Sequence, residues 1–237
     1  MEIVYRLADV PVRAVFQHAY MTQMCQGYET DEPAELTIEV TAEDIALERE
    51  KSEAPDAYTD AYLETLAFYR KFVTAVSDRD ILLFHGSAVS FDGGAYIFTA
   101  PSGTGKSTHT NLCAALYKER FFYINDDKPL LRLIDGCWYV YGTPWDGKHR
   151  LSTNTRAPLK GICFLERGPS NHIVRAGSEE MFPRLLGQTF RPSEPTSLAK
   201  VLSLSMILSR TPLWKLSCTI SREAAELSLP TMARVSL

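Results

Sequence analysis

The stretch Ala100-Pro101-Ser102-Gly103-Thr104-Gly105-Lys106-Ser107 narrows what this chain can fold into more than any other. A small residue, four variable ones and then Gly-Lys-Ser is the Walker A pattern, with Ala100 in place of the usual glycine. The pattern works only between a strand and a helix. Both are expected here: Ala95-Tyr96-Ile97-Phe98-Thr99 reads as a strand, and Thr108, Leu112, Ala115 and Leu116 continue as an amphipathic helix. Gly103 and Gly105 supply the backbone freedom that lets amide N–H groups from Ser102 to Thr108 turn inward around phosphate oxygens, with the positive end of the helix dipole behind them. Lys106 would then neutralise phosphate charge, and the Ser107 hydroxyl would ligate Mg2+.

Three further groups lie within reach of such a loop. Asp126 and Asp127 close the apolar strand Phe121-Phe122-Tyr123-Ile124, where one acid can serve a metal and the other a substrate hydroxyl. Asn-Asp-Asp-Lys-Pro would also make a plain strand-ending turn. The order strand, loop, helix, strand with acids at its tip is nevertheless that of a nucleotide-binding α/β layer. His85-Gly86-Ser87 precedes the loop at the expected sheet end. Trp145-Asp146-Gly147-Lys148 lies in a turn-rich segment and reads equally well as an ordinary turn.

Along the chain, Ile3 to Leu7 and Leu36 to Val40 alternate like strands of a small sheet, while Tyr58, Tyr62, Leu66, Tyr69, Phe72, Val73 and Val76 recur at helical spacing. From Asp80 onward the pattern turns β-rich, with a hairpin through Asp92-Gly93-Gly94 and another about Asp135-Gly136. Further strands are expected at Lys160 to Leu165, Ile173 to Arg175 and Leu213 to Cys218. Helices are expected over Glu179 to Gln188 and Glu194 to Ser209, and again after Ser221. This divides the chain into a small α+β portion, 1–79, and an α/β domain, 80–237.

At 237 residues, 45% hydrophobic and 23% charged, the composition is that of a globular protein. A formal charge of −4 offers no footprint for nucleic acid or an anionic membrane. Met1 to Arg6 lacks a basic segment leading into an apolar run, and no run approaches the roughly 20 apolar residues that span a bilayer, so a cytoplasmic location is expected. The five scattered cysteines, Cys25, Cys113, Cys137, Cys163 and Cys218, fit reduced thiols mostly within apolar stretches, and no spacing suggests structural zinc.

Residues 85–148 resemble the catalytic domain of the HPr kinase/phosphorylase family, within the phosphoenolpyruvate carboxykinase-like group of P-loop kinases. The shared features are His85-Gly86 before a hairpin, the loop from Ser102 to Ser107, and the Asp126-Asp127 pair closing the next strand. The resemblance extends over roughly 80 to 220. It implies a mixed β-sheet flanked by helices, ATP and Mg2+, and transfer of the γ-phosphate to a hydroxyl, of serine type, on a peptide, protein or small molecule. It implies Asp127 as the base and Asp126 as the metal contact, or the reverse order. It further implies Asp146 as an added metal ligand, Lys148 as a phosphate contact, and His85 as orienting the γ-phosphate or nucleophile. Homo-oligomers are common in the family. The family's Glu-x-Arg-Gly run is absent and the N-terminal portion is short, so HPr itself is not the expected acceptor. Two rival readings are a carboxykinase-like enzyme and a nucleotide-binding sensor module without kinase activity; the second would need Ser107 and one Asp, not two.

Overall fold

The computed structural model describes residues 1–52, 54–101 and 103–234. The chain forms two compact units, Met1–Asp78 and Arg79–Leu237.

In the first unit, strands β1 (Glu2–Leu7) and β2 (Val10–Val15) form an antiparallel hairpin closed by Ala8 and Asp9, and β3 (Leu36–Glu39) adds parallel to β2. Around them lie helices α1 (Tyr20–Met24), α2 (Ala42–Lys51) and α3 (Asp60–Ala75). This is more structure than two alternating runs suggest. Pro11 interrupts the strand-like run of β2, and the polar sequence of α2 conceals a helix opened by a reciprocal Thr41–Asp44 capping box. Of the aromatic stripe, Tyr69, Phe72 and Val73 are buried on α3 together with Leu63 and with Phe68, which stacks on Phe72, whereas Tyr58 lies exposed before the helix and Tyr62 and Leu66 are half-buried. On the same helix the fully buried Glu64 accepts from the Gln17 and His18 amides at 2.6 and 2.9 Å.

The second unit is a mixed sheet flanked by helices. Its elements run β4 (Ile81–Leu83), β5 (Ser87–Phe91), β6 (Gly94–Thr99), α4 (Lys106–Tyr117), β7 (Phe121–Asn125), β8 (Leu130–Ile134), β9 (Cys137–Tyr141), β10 (Arg156–Arg167), β11 (His172–Ala176), α5 (Ser178–Gln188), α6 (Pro195–Leu208), β12 (Leu213–Cys218) and α7 (Arg222–Arg234). The strand path is β4-β8-β9-β10-β6-β5-β7, with β12 beside β10 and β11 beside β12. Strand β10 is long enough to pair with β9 near its start and, further along, parallel with β12; β6 runs parallel to it on the other edge. One apolar cluster seats α5 and α6 against the sheet through Met181, Leu185, Val201, Leu204 and Leu208. A second seats α4 and α7 through Cys113, Ala225, Leu229 and Met232.

Cys25, Cys113 and Cys163 are buried thiols, whereas Cys137, the first residue of β9, faces solvent. Among the described residues no helix is long and apolar enough to cross a membrane.

Two consequences are measurable. Gly142, just past β9, stands where a Cβ would lie 1.9 Å from the Thr153 carbonyl oxygen and 2.7 Å from that of Ile124. Both obstacles are backbone, so Gly142→Ala should destabilise the unit by about 2–4 kcal/mol in urea unfolding. His109 is buried under α7, 3.0 Å from Ser228 Oγ, and burial pushes its pKa down to about 4 from 6.5. The unfolded chain therefore takes up that proton first, so the contribution is complete above the ordinary value and is lost as pH falls toward 4. The loss should approach about 3 kcal/mol, and urea midpoints between pH 4 and 7 should flatten in His109→Gln.

Candidate functional site

Strand β5 pairs antiparallel with both β6 and β7, so β6 and β7 end at the same edge of the sheet, where β5 begins. The glycine turn leaves β6 at that edge, the two aspartates follow β7, and His85 lies just before β5. In the turn, Gly103 and Gly105 have φ of +75° and +113°, and Gly105 caps α4. A side chain is disfavoured at such angles, which accounts for these two glycines. Lys106 and Ser107 are half-buried in the first helical turn and Thr108 is exposed. Ser102, expected to share in the cradle, lies outside the described residues.

Burial of the Lys106 ammonium lowers its pKa, opposed by the charges of Asp127 and Asp126 and reinforced by that of Lys128. The two carboxylates are set apart by their surroundings. Burial pushes Asp126 above the ordinary carboxylate range, although Ser87 Oγ donates to its Oδ1 and Lys106 and His149 draw it down. Burial acts on Asp127 in the same sense, but is outweighed by His85 Nε2 at 3.3 Å from Oδ1 and by Lys128 Nζ on Oδ2, which hold it well below that range.

The pair is held in place by Asn125, the last residue of β7, which is fully buried. Its Oδ1 accepts from the amides of Asp127 at 2.9 Å and Lys128 at 2.7 Å, while its Nδ2 donates to the Thr143 carbonyl and hydroxyl oxygens, both at 2.9 Å. The Asp126 amide donates to the Leu151 carbonyl at 3.0 Å. His85 is tied twice to the last residue of α5: its amide donates to the Gln188 carbonyl at 2.7 Å, and its Nδ1 lies 3.1 Å from Gln188 Oε1.

Asp146 sits in the neighbouring wall. Ser152 Oγ donates to its Oδ2 at 2.7 Å, and Ser152 bridges to Asn125. Its Oδ1 is buried without a hydrogen bond, with Arg150 Nη1 3.5 Å away. The adjacent Gly147 approaches Asp127, its Cβ position 3.2 Å from the aspartate Cβ. Lys148 is exposed at the rim. Among the described residues no set of three or more His, Cys, Asp or Glu is arranged to hold a metal ion by itself.

The structure thus brings Lys106, Asp126, Asp127 and His85 together and sets Asp146 in the adjoining wall. It adds Ser87, Asn125, Lys128, His149, Gln188 and Arg167, none of which the sequence reading assigned a part. Arg167, at the end of β10, donates to the carbonyl oxygens of Gly103 at 2.6 Å and Thr104 at 3.1 Å, bracing the outside of the glycine turn. Asn125 had a signal, a polar residue ending an apolar strand. Gln188, 103 residues from His85, had none.

No protein-family model and no curated protein matches the sequence. Among solved structures similar to this chain is the Hpr(Ser) kinase/phosphatase from Coxiella burnetii, at 10% sequence identity and a TM-score of 0.38, covering 65% of this chain and 88% of that one. That is a distant likeness in fold.

Replacing Asn125 with Ala would leave the Asp127 and Lys128 amides without their acceptor. We expect a loss of about 3 kcal/mol in urea unfolding.

Proposed function

We propose that the unit Arg79–Leu237 is an ATP-dependent phosphotransferase that moves the γ-phosphate to a hydroxyl, of serine type, on a peptide, protein or small molecule. The observation that carries this reading is a half-buried lysine at the head of α4, beside a glycine turn and within electrostatic reach of two carboxylates. Such a lysine is poorly solvated while the site is open and gains from a polyphosphate that brings negative charge to it.

The residues suit Mg2+ as the accompanying ion. Asp146, one oxygen of which makes no hydrogen bond, and the Ser107 hydroxyl are hard oxygen donors. Magnesium commonly takes only one or two protein carboxylates beside phosphates and water. When bound, it would offset phosphate charge and orient the terminal group.

In this reading the amides of the glycine turn and Lys106 hold the phosphates, while His85, fixed by Gln188, orients Asp127. Both oxygens of Asp127 are already engaged, one by His85 Nε2 and the other by the Lys128 ammonium, which makes it a weak proton acceptor. Asp126, with its raised proton affinity, is the better candidate to take the acceptor hydroxyl's proton. The resemblance implies the opposite order or this one; the contrast in surroundings favours Asp126.

Incubation with γ-labelled ATP and Mg2+ in the presence of candidate serine-bearing acceptors should leave label on an acceptor; release of free phosphate alone, or bound nucleotide alone, would overturn the transferase reading. Lys106→Ala should lower transfer about a hundredfold or more. Asp126→Asn should keep ATP affinity within a few-fold while transfer falls by at least about a hundredfold. Near-normal transfer by Asp126→Asn, alongside a dead Asp127→Asn, would give the proton to Asp127.

A further inference from the structure

The glycine turn has different neighbours on its two flanks. Toward β5 and β7 stand Ser87, His85, Asp126 and Asp127. Toward β10 and β12 stand Arg167 and its register partner Cys218, followed by the short connection from β12 into α7. Arg167 is engaged with the turn's own carbonyl oxygens. Beyond it, the side chain of Ile220 comes against Gly105, with Cδ1 3.8 Å and Cγ1 3.9 Å from that glycine's Cβ position.

Ile220 is 61% exposed. Its connection is firmly tied: Asn171 Oδ1 accepts from the Thr219 amide at 2.9 Å and hydroxyl at 3.1 Å, while Asn171 Nδ2 donates to Ser221 Oγ at 3.1 Å. One asparagine therefore fixes the residues on both sides of an isoleucine that the core does not use. A large aliphatic side chain left in water adds little to folding, yet offers surface to whatever covers it.

We propose that Ile220 is the platform for the base of a nucleoside triphosphate whose phosphates lie in the glycine turn, with Asn171 as the positioning residue that holds the platform. This rests on the phosphotransferase reading above. That reading gives the phosphate chain a direction, because its terminal group faces Lys106, Asp126 and Asp127. The nucleoside then leaves on the opposite flank, where the Ile220 side chain meets the last glycine before α4. Contact there is between a flat base and an aliphatic face, which desolvates both.

Calorimetric titration of the full chain with MgATP and, separately, with inorganic tripolyphosphate separates the platform from the phosphate turn. The wild-type chain should bind both. Ile220→Ser should weaken ATP about three- to tenfold and leave tripolyphosphate unchanged, while Ile220→Leu should return ATP to within about twofold. Asn171→Ala should follow Ile220→Ser in direction. Unchanged ATP affinity in Ile220→Ser, with tripolyphosphate still bound, would overturn the platform and leave the phosphate turn standing. Equal weakening of both ligands would also overturn it, by placing the effect in the turn. Failure of the wild-type chain to bind either ligand would overturn the phosphotransferase reading and the platform with it.

Discussion

The antiparallel strand β5, inserted between β6 and β7, is the constraint on which the candidate site depends. Had β6 and β7 been paired directly and antiparallel, the glycine turn and the two aspartates would lie at opposite ends of the sheet. With β5 between them, its ladder hydrogen bonds fix the register of both neighbours at once, Ser87 opposite Phe98 and Ala88 opposite Asn125. A cation at the start of α4 and two anions after β7 are thereby brought to one edge.

That proximity would be unstable were the charges left to themselves. Two adjacent carboxylates beside a poorly hydrated lysine are tolerated because each is answered separately: Asp127 by His85 and Lys128, Asp126 by Ser87 and the more distant charges of Lys106 and His149. The outcome is a pair of chemically identical groups whose proton affinities are shifted in opposite directions. Asn125 makes the difference reproducible, since its single side chain sets the backbone that aims Asp127 and Lys128.

Much of this was legible in the sequence because it is local. Periodicity located β6, α4 and β7, and the glycine spacing marked the turn, since only a few backbone shapes connect a strand to a helix through Gly103 and Gly105. The acids were visible for the same reason, as polar residues ending an apolar run. What escaped was non-local or disguised. Gln188 meets His85 through the bridge of Phe84 with Thr189, a pairing no spacing encodes. Arg167 reaches the turn only because β10 runs parallel to β6. Strand β2 escaped through Pro11, and α2 through a polar sequence whose helical character resides mainly in its cap.

Two features close to the glycine turn and the carboxylates run against the interest of folding alone. Asp146 buries a carboxylate oxygen without a hydrogen bond, although Ser152 already satisfies its other oxygen and Arg150 stands within ion-pair range. Ile220 exposes a large aliphatic surface on a connection that Asn171 has made rigid. Either group would be replaced at little cost to the core, by a neutral amide in the first case and a polar side chain in the second. They lie in the wall adjoining the carboxylates and on the opposite flank of the glycine turn, respectively. A ligand with phosphates at its centre, a cation at one end and an apolar ring at the other would resolve both at once. Departures from what folding favours tend to collect where a protein is shaped for something other than itself.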